Sequence, residues 1–358
     1  MKKRIAFFHM LNDYSGSPHV LALIIKGLVE RGYNVDLYTS SSNRGFLSGL
    51  KGVKYHNIFY EFTTNKIRTF ILFFYAQICY FIIAIKLSRN KTTIYINTIL
   101  PFGATLGAAL INMKVIYHIH EKPVKQNFIQ RIALKTFQNF SHKRIFVSRY
   151  LKEQYNDPNK NNILIYNSLS KSFSSIALQH KPKLVKPFTI LMVCSLRKYK
   201  GVDVFRELAF RLTDYNFILV LNASDSDIAS YFQDSIIPNN LKINSTQTSL
   251  HPYFSQSHLV LNLSIPHLWI ETFGLTALEA MAYGIPVIVP PIGGIAEIID
   301  DGIEGFKVNS TDKDLLINRI DEVLSNEQRY YEMSINARLK ADSFSYTNMI
   351  DDVEKAIN

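Results

Sequence analysis

The sequence predicts an α/β protein made of two doubly wound, Rossmann-like domains. Short apolar runs alternate with amphipathic helical segments, which is typical of parallel sheets covered by helices. The alternation stops after Asn167 and resumes at Phe188, so each half of the chain can form its own sheet. A chain of 358 residues also exceeds the size at which one hydrophobic core stops growing.

The first domain is assigned to residues 1–168. It is expected to begin with a strand at 4–9, a polar loop and an amphipathic helix over 20–31. Further strands are expected at 35–39, 93–97, 114–119, 144–148 and 162–166. Residues 169–187 are rich in serine, contain two prolines and lack periodicity, so they are predicted to be a linker.

The second domain is assigned to residues 188–344. Its apolar runs predict strands at 188–194, 216–221, 241–244, 258–263 and 286–290. Beyond about residue 326 the chain is polar and is expected to be helical.

The composition favours a globular chain in a reducing compartment. Hydrophobic residues make up 47% of the sequence, and only four apolar residues follow the basic N-terminus, too few for the core of a signal peptide. Cys79 and Cys194 are the only cysteines, which leaves neither a disulfide framework nor a thiolate metal cluster. We therefore expect a cytoplasmic protein.

Charge is divided unevenly between the two halves. Residues 1–180 carry 24 Lys and Arg against 7 Asp and Glu, a net +17, whereas residues 181–358 carry 16 against 22, a net −6. A basic half attracts anionic membranes or nucleic acid. Because the sequence holds no RNA or DNA motif, we expect an anionic membrane surface and no nucleic acid. The alternative is a general solubility charge without a partner.

Residues 69–85 form an apolar run between Arg68 and Lys86. Its 17 residues are borderline for crossing a bilayer. A strand is predicted soon after it and must join the same sheet, so a buried or interfacial helix of the first domain is expected instead of a span.

The most informative segment lies at 271–286 and reads ETFGLTALEAMAYGIP. Gly274 permits close approach of the backbone to a ligand, and residues 275–283 favour a helix. Gly284 and Pro286 then end that helix. Apolar runs on both sides predict a β-α-β crossover.

This segment predicts a site for a sugar nucleotide. The amides of Phe273, Gly274 and Leu275 are expected at a helix N-terminus, which attracts phosphate. Glu271 precedes the helix and Glu279 lies on its second turn, so the two can face one ligand at separate points. The alternative is a solvated acidic helix face.

These motifs together resemble the retaining GT-B glycosyltransferases of the GT4 family (glycosyl transferases group 1), of the polysaccharide-biosynthesis type. The resemblance rests on Glu271 and Glu279 at EX7E spacing, the FGL helix start, the GIPVI strand and the GG-x-x-E segment from Gly293 to Glu297. It implies a GT-B fold, in which two Rossmann-like domains face each other across a cleft. It also implies that the C-terminal helix, residues 345–358, returns to the N-terminal domain.

Two segments of the first domain also resemble this family. Its double glycine after the first strand is reduced here to Gly16, a candidate contact of the donor phosphate. His120 in the segment YHIHEKP resembles the histidine that lies beside the transferred sugar. A metal site at His118 and His120 lacks further apparent ligands, and a structural histidine is the other alternative.

The segment 192–201 resembles the family's phosphate-gripping GRL-x-x-x-KG loop. Lys200 aligns directly, whereas Ser195 occupies the usual position of the arginine and Cys194 that of the glycine. Arg197 is the candidate replacement. Cations are needed here because cleavage of the sugar–phosphate bond leaves negative charge on the phosphate. The alternative is a loop with exposed basic residues.

A short DxD motif, Asp225 to Asp227, is typical of metal-dependent GT-A glycosyltransferases. It follows a predicted strand and is expected to start a helix instead of holding a metal. No P-loop, dinucleotide fingerprint or GxSxG elbow is present, so ATPase, dehydrogenase and hydrolase functions lack support.

The resemblance implies a retaining hexosyltransferase that needs no metal or cofactor. Its donor is a nucleoside diphosphate sugar, and its acceptor is a lipid-linked or polysaccharide hydroxyl of capsule, O-antigen or exopolysaccharide assembly. The protein is expected to be peripheral at the cytoplasmic face of the inner membrane. A nucleotide-sugar epimerase, a glycosyltransferase for small molecules and an inactive nucleotide-sugar scaffold are the alternatives.

Overall fold

The computed structural model describes residues 4–40, 45–61, 63, 65–87, 92–121, 128–155 and 157–358. The chain divides into two compact units. Unit 1 comprises Met1–Asn167 with Thr347–Asn358, and unit 2 comprises Ser168–Tyr346.

Over its described residues, unit 1 contains a seven-stranded parallel sheet. Its strands are β1 Arg4–Phe8, β2 Asn34–Ser40, β3 Val53–Ile58, β4 Thr92–Asn97, β5 Val115–Ile119, β6 Lys143–Phe146 and β7 Asn161–Leu164. The order across the sheet is β3-β2-β1-β4-β5-β6-β7. Its helices are α1 Gly16–Glu30, α2 Lys66–Lys86, α3 Phe102–Leu110, α4 Phe128–Phe140 and α5 Arg149–Gln154.

Unit 2 contains a six-stranded parallel sheet. Its strands are β8 Thr189–Ser195, β9 Asn216–Asn222, β10 Leu241–Asn244, β11 Leu259–Leu261, β12 Val287–Val289 and β13 Gly305–Lys307, in the order β10-β9-β8-β11-β12-β13. Its helices are α6 Lys171–Gln179, α7 Val202–Arg211, α8 Asp225–Phe232, α9 His251–Ser255, α10 Leu275–Ala282, α11 Lys313–Ser325 and α12 Glu327–Ser343.

The last helix, α13 Tyr346–Ile357, packs on unit 1. A Cβ atom at Gly27 would lie 2.8 Å from the Ile350 side chain, so α1 and α13 are in close contact. Arg31 pairs with Asp351, and its Nη1 donates to Glu354 at 2.5 Å. The apolar and polar contacts together fix α13 beside α1.

The two sheets and their covering helices confirm the predicted α/β class. The prediction of a linker over 169–187 was wrong for its first half, which forms α6. Ser170 caps this helix by accepting from the Phe173 amide, and the Phe173 ring stacks on His251 at a centroid distance of 4.6 Å. Packing within unit 2, which local periodicity does not reveal, orders the segment.

Helix α2 confirms the predicted helix in the apolar run. Within the described residues, α2 is long and apolar enough to cross a membrane, judged by length and composition only. Of its most apolar 18-residue stretch, 28% is buried, so α2 is not a fully buried core helix. One face packs on α3: a Cβ atom at Gly103 would meet the Gln77 carbonyl oxygen at 2.1 Å, and the Gly103 amide donates to Gln77 Oε1.

Candidate functional site

The carboxyl ends of β8 and β11 bring the central residues of unit 2 together. These strands are neighbours, and the chain leaves them in opposite directions across the sheet, toward β9 and β12. Ligands of open α/β sheets bind at such a switch point. Lys200 follows β8 and Glu271 follows β11, so residues 71 positions apart in the sequence meet there.

Lys200 and Glu271 form an ion pair. Lys200 Nζ donates to Glu271 Oε1, which also accepts from Ser264 Oγ at 2.7 Å. Burial acts to raise the pKa of Glu271, but the charge and hydrogen bond of Lys200 and the hydrogen bond from Ser264 outweigh it and hold that pKa below its usual value. Glu271 is therefore ionised at neutral pH and can accept hydrogen bonds from hydroxyl groups.

Two aromatic rings flank the lysine. Tyr199 and Trp269 stack at a centroid distance of 5.1 Å, and Lys200 Nζ lies 5.3 Å from the centroid of Trp269. The rings and Glu271 restrict the ammonium group to one region, which favours binding of an anion at a defined place. Ser264, Tyr199 and Trp269 were not predicted from the sequence. An aromatic residue beside Lys200 and another two positions before Glu271 were the available signals.

Three glycines with positive φ allow close packing around this place, two of them against backbone and one against a side chain. Gly201 has φ +80°, and a Cβ atom there would meet the Leu263 carbonyl oxygen at 2.3 Å. Gly293 has φ +99°, and its Cβ atom would meet the Glu271 carbonyl oxygen at 2.4 Å. Gly274 has φ +91° and is similarly crowded by Ile295. Gly293, the first glycine of the pair Gly293–Gly294, thus packs against the backbone of Glu271 and supports the turn that carries it.

Helix α10 begins where the sequence predicted. Gly274 is its N-cap, and the helix runs from Leu275 to Ala282 before Gly284 takes φ +71°. The backbones of Phe273, Gly274 and Leu275 therefore lie at the N-terminal turn, where the helix dipole favours an anion. The buried Phe273 ring packs edge-on against Phe344 at 5.8 Å, which anchors this turn in unit 2.

Glu279 lies buried on α10. Burial raises its pKa from 4.5 to about 8, and Oε2 has no hydrogen-bond partner among the described residues. A carboxyl group in this state is mostly neutral at pH 7 and can both donate and accept hydrogen bonds. It therefore offers an unused polar atom to a ligand with hydroxyl groups.

Glu279→Gln should remove a pH-dependent loss of stability. Because the pKa is higher in the folded state than in the unfolded chain, the Glu279 contribution is full below pH 4.5 and is lost as the pH rises through about 8. Thermal unfolding between pH 5 and 9 should show a smaller loss in the variant, by on the order of 3 kcal/mol. The exposed Glu327→Gln is the control, and equal pH profiles for all three proteins would contradict the assignment.

The remaining donor-loop candidates lie beside Lys200. Ser195 ends β8, and its carbonyl oxygen accepts from the Arg197 amide at 2.8 Å. Arg197 is exposed and is the N-cap of the short 3-10 turn Lys198–Lys200. Its carbonyl oxygen accepts from the Lys200 amide at 2.9 Å, so Arg197 adjoins Lys200 through the backbone of this turn.

The DxD aspartates start α8, as predicted. Ser224 and Asp227 form a capping box, in which Ser224 Oγ accepts from the Asp227 amide at 3.1 Å. Asp225 lies in the first turn of the same helix. Both carboxylates thus have a structural role at a helix N-terminus. Within the described residues, no group of three or more His, Cys, Asp or Glu side chains is arranged to hold a metal ion.

In unit 1, the carboxyl ends of β1, β4 and β5 bring three polar side chains together. Asn97 is fully buried, and its Nδ2 donates to His9 Nδ1 at 3.0 Å and to the Ser17 carbonyl oxygen at 3.2 Å. The contact with Ser17 fixes the orientation of the amide. Oδ1 therefore faces His120, whose Nε2 donates to it at 2.8 Å. His120 thus carries a proton on Nε2.

The histidines of this cluster are neutral at pH 7. Burial lowers the pKa of His9 to about 4 and that of His118 to about 3. The pKa of His120 is lowered well below its usual value by burial, and then by the charges that His118 and His9 would carry. His118 ring atoms also contact Tyr95, whose hydroxyl lies 2.9 Å from Nδ1. Of these residues, His120 was predicted from the sequence, whereas Asn97 and His9 were not.

Gly16 is exposed at the N-terminus of α1, which begins four residues earlier than the helix predicted over 20–31. The turn before it is held by Asp13, whose Oδ1 accepts from the Ser15 amide at 2.9 Å. Glu121 lies next to His120, and burial followed by the charge of Asp13 raises its pKa. Residues 122 and 123, the end of the histidine motif, lie outside the described residues.

In sequence, the chain is similar to known glycosyltransferases. Residues 175–340 match the family of glycosyl transferases group 1. An uncharacterised glycosyltransferase of Methanocaldococcus jannaschii is 26% identical over 328 residues, covering 86% of this chain and 90% of that protein. A D-inositol 3-phosphate glycosyltransferase of Gordonia bronchialis is 36% identical over 81 residues, or 23% of this chain and 18% of that protein.

Solved structures share the whole fold. HepE of Anabaena in complex with UDP and glucose matches with a TM-score of 0.79 at 18% identity, over 99% of this chain and 98% of that one. Sucrose-phosphate synthase of Thermosynechococcus elongatus matches with a TM-score of 0.81 at 15% identity, with the same coverage. The chain therefore has the GT-B fold, and the family match in unit 2 together with these relatives supports a GT-B glycosyltransferase.

Proposed function

We propose that the protein is a retaining glycosyltransferase of the GT4 type that moves a hexose-type sugar from a nucleoside diphosphate to a hydroxyl of a lipid-linked or polysaccharide acceptor. The single observation that carries the proposal is the ion pair of Lys200 with Glu271 beside the first turn of α10. The complex of HepE with UDP and glucose supports a nucleotide sugar as the donor. In this proposal the acceptor belongs to capsule, O-antigen or exopolysaccharide assembly.

The donor would bind to unit 2 through its diphosphate, its sugar hydroxyls and its ribose. Lys200, with Arg197 as a second cation, would hold the diphosphate together with the amides of Gly274 and Leu275. Glu271 would accept hydrogen bonds from the sugar hydroxyls, and Glu279 would bind the ribose through the buried carboxyl atom that lacks a partner. Because an ammonium group has three N–H donors, Lys200 could bind the phosphate while it still donates to Glu271, and both charges would stay paired during binding.

The reaction breaks the bond between the anomeric carbon and the oxygen of the β-phosphate. The electron pair of that bond goes to the phosphate, and Lys200 with the helix amides stabilises the added charge. The acceptor oxygen bonds to the anomeric carbon on the same face, and its proton passes to the departing phosphate oxygen. No separate general base is then needed. In unit 1, the neutral His120 would assist turnover as an oriented polar group.

A screen of nucleotide sugars tests this function. Purified protein is incubated with UDP- and GDP-linked sugars, with and without a lipid-linked acceptor, and both nucleoside diphosphate release and the anomeric configuration of the product are measured by NMR. Acceptor-dependent release with a retained configuration is expected. Conversion of the donor without an acceptor would indicate an epimerase, and binding without consumption would indicate a scaffold.

Turnover is expected to be independent of divalent metal ions. Charge on the departing phosphate is balanced in this proposal by Lys200 and helix amides, so treatment with EDTA should change kcat by less than about two-fold. The same assay with added Mg²⁺ or Mn²⁺ is the control. Loss of activity in EDTA that either ion restores would contradict this assignment.

We also propose that the enzyme works at the cytoplasmic face of the inner membrane. The net charge of +17 over residues 1–180 supports attraction to anionic lipid. Nucleic acid is not proposed as a partner, because the sequence contains no motif that reads bases. Binding that weakens with salt is the expected behaviour.

A further inference from the structure

Helix α2 presents an apolar face to solvent. Its buried residues lie on the side toward α3, and they are Phe73, Ala76, Gln77, Tyr80 and Ala84. The opposite side carries six large hydrophobic side chains that are 45–73% exposed: Ile67, Phe70, Ile71, Tyr75, Ile78 and Ile82. These six residues, which we call the α2 stripe, are linked by spacings of three or four positions, with Phe70 and Ile71 adjacent, and therefore form one continuous strip.

The stripe differs from the usual surface of a soluble helix. Exposed apolar residues that occur singly are normal, whereas a contiguous apolar patch marks an interaction site. The helix does not need this face for folding within unit 1, because the face toward α3 already provides its packing. Gln77 also holds this buried face on α3, since its Oε1 accepts from the Gly103 amide at 2.8 Å. The stripe is consequently available to a partner.

The charges around the stripe indicate which partner fits. Lys66 and Arg68 lie at the start of α2 and Lys86 at its end, and all three are exposed. Among the described residues, one acidic side chain forms an ion pair with α2, namely Glu61, which pairs with Arg68. An apolar strip with cations at both ends matches lipid acyl chains beneath anionic headgroups. A second copy of this chain fits less well, because it would bring like charges together.

We propose that α2 lies in the plane of an anionic lipid surface, with the α2 stripe in the acyl region and Lys66, Arg68 and Lys86 at the headgroups. The helix does not cross the bilayer in this arrangement, because its other face stays on α3. The biological role of this contact rests on the proposed function, because a lipid-linked acceptor would lie at such a surface. Binding itself is independent of catalysis and can be measured alone.

Co-sedimentation with vesicles tests the stripe. The full chain is mixed with vesicles of phosphatidylglycerol and phosphatidylcholine, or of phosphatidylcholine alone. Ile71→Gln/Ile78→Gln changes two stripe residues that are 61% and 59% exposed. Ile335→Gln/Leu339→Gln on α12 is the matched control, with exposures of 62% and 64%. We expect binding to anionic vesicles to weaken by about ten-fold or more in the first variant and by less than about two-fold in the control.

Charge and oligomeric state complete the test. Lys66→Gln/Arg68→Gln/Lys86→Gln should weaken binding to anionic vesicles by about five-fold per cation at low salt. Equal binding by the stripe variant and the control would overturn the proposal, because attraction would then come from other basic surfaces. Light scattering that finds a wild-type dimer in lipid-free solution, converted to a monomer by the stripe variant, would also overturn it in favour of a second copy.

The outcome is separable from the proposed function. The stripe variant should keep its thermal midpoint, because both isoleucines are exposed, and should keep its release of nucleoside diphosphate with a water-soluble acceptor. If wild-type protein binds vesicles through the stripe but consumes no donor, the proposed function fails and this inference stands. If it consumes donor but the stripe variant binds vesicles normally, the inference fails and the proposed function stands.

Discussion

Lys200→Met is expected to lower kcat by about 10²–10³-fold, because it removes the cation that balances charge on the departing phosphate. The ammonium group is held by Glu271 and by the rings of Tyr199 and Trp269, so its position is set before the donor arrives. Such preorganisation makes its loss costly in the transition state. Steady-state kinetics of nucleoside diphosphate release measures the effect.

The control for this variant comes from the same turn. Lys198 is exposed, and Lys198→Met should keep kcat within about two-fold. Removing Lys200 also leaves the partly buried Glu271 unpaired, which can cost about 3 kcal/mol of stability. The double variant Lys200→Met/Glu271→Gln restores neutrality, so its thermal midpoint should recover while its activity does not. Near-normal activity in both Lys200→Met and Glu271→Gln would contradict the site.

His120→Ala is expected to lower kcat by about 10²-fold while the Kd for the nucleoside diphosphate changes little. His120 belongs to unit 1, whereas the diphosphate contacts are assigned to unit 2. Since the pKa of His120 is well below its usual value, the wild-type kcat should show no titration of this histidine between pH 6 and 8. Kinetics over that range, with calorimetric binding of UDP and GDP, separates the two effects.

Asn97 positions the histidine and provides a second variant. Asn97→Ala removes the acceptor for His120 Nε2 and should lower kcat by about ten-fold with a smaller change in KM. His142→Gln is the control: this exposed histidine accepts from the Val115 amide at the opposite end of β5. Loss of donor binding in His120→Ala, or equal loss of turnover in His142→Gln, would count against a specific role.

The sequence predicted the fold well where strands are buried and continuous. The strands β8 and β9 follow apolar runs, and both were placed within one residue at each end. It missed β3, which lies at a sheet edge and is only partly buried, and β13, whose sequence Gly-Phe-Lys contains one large apolar side chain. Neither strand carries the continuous apolar run that marked the predicted strands. Helix α6 was missed because its support comes from distant aromatic side chains.

The candidate site was predicted in part for a similar reason. Glu271, Glu279, Lys200 and the start of α10 follow from local motifs, and each lies where those motifs imply. The ion pair itself joins two loops far apart in the sequence and depends on the strand order of the sheet. The neutral state of Glu279 likewise depends on burial, which no local pattern reveals.

The network in unit 1 needed the same topological information. Asn97 joins His9 and His120 because β1, β4 and β5 are neighbours in the sheet. The motif at His120 gave one member, whereas Asn97 ends an ordinary apolar strand and carries no motif. Long-range strand order therefore decides which polar residues form a site.

The most direct measurement is a crystal structure with UDP or GDP bound. The β-phosphate is expected within hydrogen-bond distance of Lys200 Nζ and of the amides at the start of α10, with the ribose hydroxyls on Glu279. Occupied density at another place, with Lys200 still paired to Glu271 and the α10 terminus without phosphate, would contradict the account.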